Sequence, residues 1–116
     1  MLTYHLVPAA DWAALGPGAP VRPASLAIEG FIHCTTGADE MVATANRHYR
    51  ADPRQFVVLT VDLDRVGVPW RYDTADPADT RYPHIYGEIP RTAVLASQPM
   101  ERDAGGTFLG LGEPVS

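Results

Sequence analysis

The sequence predicts an α+β fold in one small domain, and three observations lead there. Four or five stretches read as strands, a single long helical segment lies between the second and third of them, and the remaining connections are long and carry prolines. A doubly wound sheet would need a helix after every strand, and the chain lacks the segments for it. At 116 residues there is room for one core, spanning 1–116, and a chain of this size buries roughly two-thirds of the surface it would expose unfolded.

Residues 2–7 alternate Leu2, Tyr4 and Leu6 against Thr3, His5 and Val7, the period-two pattern of a strand. Residues 9–15 favour a short helix that follows Pro8 and stops at Gly16. Pro17, Pro20 and Pro23 forbid a regular ladder between them, so 17–23 is a loop or edge segment. Ser25 to Gly30 reads as a brief helical turn closed by Gly30, and Phe31 to Thr35, aromatic and β-branched, as a second strand with Phe31, His33 and Thr35 on one face. Thr36-Gly37-Ala38-Asp39 has the form of a helix start. Met41, Val42, Ala45 and Tyr49 then recur at helical spacing, which predicts the main helix over 37–50.

Phe56 to Leu63 is nearly continuous apolar sequence, the signature of a central strand covered on both faces. Trp70-Arg71-Tyr72 is a short strand, and 73–83, polar with two prolines, is a long surface loop. His84-Ile85-Tyr86 is short and extended, and 93–100 forms the last strand. The glycine-rich end, 105–116, is expected to be a loose tail.

Composition removes several function classes. The net charge of −5 and the absence of a basic run argue against general nucleic-acid or anionic-membrane binding, which need clustered positive charge. All nine basic residues are arginines. Without lysine there is no Schiff-base chemistry and no phosphate-gripping lysine of a P-loop, but arginine still holds small anions in a bidentate fork. A single cysteine, Cys34, forms no internal disulfide, and MLTYHLVPAADW lacks the features of a signal peptide, so the expectation is a cytoplasmic protein with no membrane span.

Three of the four histidines, His5, His33 and His84, fall in or beside strands within small polar and aromatic clusters. Imidazole shuttles protons and exchanges hydrogen bonds near neutral pH, so the three are candidate catalytic residues of one cleft. Each taken alone is as readily a structural histidine satisfied by a backbone group. His48, on the helix, is expected to face solvent. Intervals of 28 and 51 residues, with no H-x-H or H-E-x-x-H, argue against a metal site. Cys34 points away from His33 on a strand and reads as a buried structural thiol. Arg22, Arg71 and Arg81 lie near the clusters as anion holders. Ser25 and Thr35 offer hydroxyls, and Tyr86 or Trp70 a ring on which a base stacks. Asn46 lies on the helix, positioned to bond a neighbouring loop.

Taken together, Tyr4-His5-Leu6-Val7-Pro8, Arg22-Pro23-Ala24-Ser25-Leu26, Gly30-Phe31-Ile32-His33-Cys34-Thr35 and Pro83-His84-Ile85-Tyr86-Gly87 make the chain resemble, over nearly its whole length, the bacterial family called domain of unknown function 952. That resemblance implies a distant kinship to the ADP-ribosyltransferase fold: two small, mostly antiparallel sheets around a cleft, with one main helix and nicotinamide adenine dinucleotide (NAD) as ligand. In such transferases a first-strand histidine or arginine holds the ribose, a second-strand residue contacts the dinucleotide, and a late acidic residue orients the acceptor. His5 matches the first position, and His33 and Thr35 fall where the second-strand contacts lie. The late segment offers His84 and Tyr86 in place of a glutamate, with Glu88 only in the following turn. This departure moves the expectation from ordinary ADP-ribosyl transfer towards binding or processing of a nucleotide-type ligand such as NAD or ADP-ribose, by phosphate-directed chemistry on histidine. Two other readings stand beside it: a non-catalytic small-ligand sensor or protein-interaction module, and a histidine-based metallohydrolase.

Overall fold

The computed structural model describes residues 1–114. Its elements run β1 (Leu2–Pro8), α1 (Ala9–Ala14), α2 (Ala24–Glu29), β2 (Ile32–His33), α3 (Ala38–His48), β3 (Phe56–Asp62), β4 (Trp70–Tyr72), β5 (Pro83–Ile85), β6 (Val94–Arg102) and β7 (Phe108–Leu111). Two antiparallel sheets result, one of four strands in the order β1-β3-β6-β7 and one of three in the order β2-β5-β4.

The apolar run of β3 explains the layering. Because strand side chains alternate, Val57, Leu59 and Val61 join Val7, Ile32, Cys34 and Ile85 in one core cluster, beneath the small sheet. Phe56 and Val58 join Met41 and Ala45 of α3, with Met100 and Phe108, in a second cluster. The large sheet is thus covered on one face by the small sheet and on the other by α3, which carries Asp39 and Glu40 in its first turn and Arg47 and His48 in its last, each sign matching the helix dipole.

Three expectations are corrected. Seven strands form, more than four or five: the short segments at 31–35, 70–72 and 84–86 all pair, as β2, β4 and β5, and β7 adds a strand that no periodicity announced. The segment 105–116 is no loose tail as far as it is described. Phe108–Leu111 pairs with β6, and Phe108 is buried; Val115 and Ser116 lie outside the described residues. Third, Thr36 does not cap α3. The N-cap is Gly37, at φ 95°, and the Thr36 hydroxyl instead meets that of Thr3 at 3.0 Å. By contrast Gly30 ends α2 as expected, in the left-handed conformation at φ 85° that favours glycine.

Asn46 bonds a strand, not a loop. Its Nδ2 donates to the Phe108 carbonyl at 3.0 Å, and its Oδ1 accepts from the Phe108 N–H at 2.7 Å. Side-chain amide and backbone thus meet as a strand pair would, and β7 is fastened from the side. Asn46→Ala should lower unfolding stability by about 1–3 kcal/mol, since it removes both partners of a buried strand backbone. Denaturant titration would read this as a lower midpoint, and an unchanged midpoint would show that β7 is held by its ladder with β6 alone.

Candidate functional site

The site begins with the edge position of β1. Odd residues of this strand face β3, as shown by the bonds from the Leu63 N–H to the Met1 carbonyl and from the Ala9 N–H to the Gln55 carbonyl. Even residues therefore turn their backbone groups outward. Tyr4 uses both of its groups on Thr35, each bond 2.8 Å, and this one bridge ties the large sheet to the chain just past β2. Two residues on, the Leu6 N–H and C=O point the same way, and no described residue pairs with them.

The same bridge brings β2 beside His5. The His5 side chain is buried, and its Nδ1 lies 2.9 Å from the His33 carbonyl oxygen. A carbonyl only accepts, so Nδ1 carries the proton and the neutral ring leaves Nε2 as a lone-pair acceptor. Nε2 is buried and has no partner among the described residues. Burial holds the His5 pKa below its ordinary value, with the bond to His33 opposing and the charge of His33 adding to the fall.

Across the small sheet the ladder sets His33 opposite His84, and His84 opposite Arg71. The imidazole centroids of His33 and His84 are 5.2 Å apart, nearly perpendicular at 77°. Each ring has its own carboxylate: His33 Nε2 lies 2.7 Å from Glu29 Oε2 at the end of α2, and His84 Nδ1 lies 2.9 Å from Asp73 Oδ2. Phe31 stacks on His84 at 4.1 Å and 14°, and stands edge-on to His33 at 4.9 Å. Asp73 also accepts from the Tyr86 hydroxyl and from Arg71 Nε, the latter at 2.8 Å. The Tyr86 bond first, then those of His84 and Arg71, hold its carboxyl below the usual range.

All three predicted histidines line one cavity of about 980 Å³, together with Arg22, Ser25 and Thr35. Arg22 lies on the rim, where its guanidinium meets Glu88 at 3.3 Å. Thr35 is buried. Arg71 and Tyr86 do not line the cavity; they stack on each other at 4.4 Å and reach it through Asp73. Cys34 is buried, and burial pushes its thiol pKa up. His48 is exposed. Phe31 and Asp73 are site residues that the sequence did not single out. Only for Phe31 was there a signal, its shared face with His33. Among the described residues, no group of three His, Cys, Asp or Glu side chains is placed to hold a metal ion, and no helix is long and apolar enough to cross a membrane.

These features define a small α+β domain whose sheets meet beside a histidine-lined cleft containing two imidazole–carboxylate pairs. The chain belongs to the family described as protein of unknown function (DUF952), which matches residues 6–97. The crystal structure of protein CC0527 from Caulobacter crescentus is similar, with 25% identity, a TM-score of 0.72 and 94% of each chain covered. A double mutant of the same protein gives 26% identity, a TM-score of 0.69 and the same coverage. No curated protein matches the chain.

The state of His5 has a consequence for stability. An unfolded histidine titrates near about 6.5, and the folded pKa lies lower. Between the two values the unfolded chain binds more protons, so the stability present above the unfolded value is lost as pH falls through the folded pKa. His5→Asn, which retains a donor for the His33 carbonyl, should flatten the fall of melting temperature from about pH 7 to about pH 5. Thermal melts over that interval check this, and parallel curves for the two proteins would show that His5 is not the titrating group.

Proposed function

We propose that the cleft binds a nucleotide-type ligand, of which NAD and ADP-ribose are the first to test, and that His5, His33 and His84 line its recognising or reacting end. One observation carries the reading: unused hydrogen-bonding capacity is concentrated in a single cavity. His5 Nε2 is buried without a partner, and the neighbouring Leu6 N–H and C=O are unpaired beside it. A buried polar group costs roughly 1–3 kcal/mol when left unsatisfied, so a ligand that satisfies His5 Nε2 gains what the free protein forgoes. An adjacent donor and acceptor on a strand edge fit an amide or a base edge, and an imidazole acceptor fits a hydroxyl.

Size and charge agree with this. Ligand clefts commonly measure about 300–1,000 Å³, and the cavity lies at the upper end of that range. Arg22, with its side chain 68% exposed on the rim, is free to exchange Glu88 for a phosphate. Two imidazoles with carboxylates behind them supply proton acceptors and donors, which is the equipment of phosphate-directed transfer. The fold likeness carries no activity by itself.

Calorimetric titration with NAD and with ADP-ribose tests the reading. Saturable binding is expected, weakened at least about tenfold in Arg22→Ala and in His33→Ala, a loss of about 1.4 kcal/mol. Both side chains are more than half exposed, so neither variant should unfold. Absence of binding by the unaltered protein sinks the nucleotide reading, while binding without turnover assigns the cleft to a sensor.

A further inference from the structure

His33 and His84 are held by opposite nitrogens. His33 meets Glu29 through Nε2, whereas His84 meets Asp73 through Nδ1. An ionised carboxylate only accepts, so in the neutral ring the proton lies on the nitrogen that faces it. The other nitrogen, Nδ1 of His33 and Nε2 of His84, is then a bare lone pair, and neither has a partner among the described residues. Both rings line the cavity, and they meet edge to face on neighbouring strands, with centroids 5.2 Å apart and planes at 77°.

We propose that Glu29 and Asp73 are positioning residues that fix these two tautomers, and that the paired lone pairs recognise two adjacent hydroxyl donors, as in the vicinal diol of a ribose. The second half rests on the nucleotide reading above; the first does not. Asp73 is fitted for the task because donors hold both of its oxygens, Arg71 on Oδ1 and His84 and Tyr86 on Oδ2. Those bonds also keep its carboxyl ionised. Phe31, stacked on the face of His84, removes the remaining freedom of that ring. His33 is less confined, with its side chain 56% exposed and Glu29 its single carboxylate.

Two measurements test this at about pH 8, above the ordinary imidazole range. Nitrogen-15 spectra of the imidazole rings in the free protein should show His84 chiefly as the Nδ1–H tautomer and His33 as Nε2–H. Asp73→Ala should return His84 towards the Nε2–H form that free imidazoles prefer, without moving His33. Asp73 is a third exposed, and preserved amide spectra would show that the variant is folded. A wild-type His84 already in the Nε2–H form, or one unmoved by the substitution, overturns the positioning role whether or not any ligand binds.

The second measurement follows the same nitrogens during titration with ribose 5-phosphate and 2-deoxyribose 5-phosphate. The ribose compound should shift both free nitrogens and bind at least about tenfold more tightly, the order of one net hydrogen bond. Equal binding of the two sugars, with ADP-ribose binding intact, overturns the diol assignment and leaves the nucleotide reading standing. If neither sugar nor ADP-ribose binds, both fail together, and the tautomer result is decided by the first measurement.

Discussion

Two backbone hydrogen bonds between Tyr4 and Thr35 hold the histidine site in register. They are the point at which the edge of the large sheet and the chain leaving the small one meet as if they were a single ladder. Once Tyr4 and Thr35 are opposite, His5 on the next residue of β1 lies beside the His33 carbonyl, and the β2–β5 pairing carries that position onward to His84. A slip of one residue at this bridge would leave His5 on its face, which the ladder of β1 with β3 sets, but would carry the His33 carbonyl away from it. The side chain of Thr35 is therefore less informative than its backbone.

The fold was legible where apolar pattern and length agree. The β3 run announced a strand buried on both faces, and the spacing of Met41, Val42 and Ala45 announced a helix; both stand within one or two residues of the expected ends. The pattern was silent on β7, because Gly110 and Gly112 resemble tail composition and the strand is held by β6 and by Asn46, sixty-two positions earlier. The Thr36 motif misled for a related reason. A threonine hydroxyl has several possible partners, and Thr3, unknowable from local sequence, was nearer than the helix N–H groups.

The site was half legible in the same sense. Histidines next to strands stood out by residue type, and the fold does gather the three of them. Their carboxylates did not stand out: Glu29 is four residues from His33 but on a different element, and Asp73 is the first residue of a polar loop in which acidic residues are ordinary. Both gain meaning only from ring nitrogens that the fold delivers to them. Arg71 and Tyr86, expected to touch ligand, stand one step back and act on Asp73.

The burial of Cys34 has a different kind of consequence. Its thiol sits among Ile32, Ile85 and Leu59, where the large and small sheets are pressed together, and its pKa is raised by that burial. Cys34 also borders the cleft, and its thiol becomes reactive where an opening lets water reach it. Modification by a thiol reagent is therefore a clock for opening of the floor of the cleft. The chain contains no other thiol to confuse the signal, so this protein reports its own breathing without an added label.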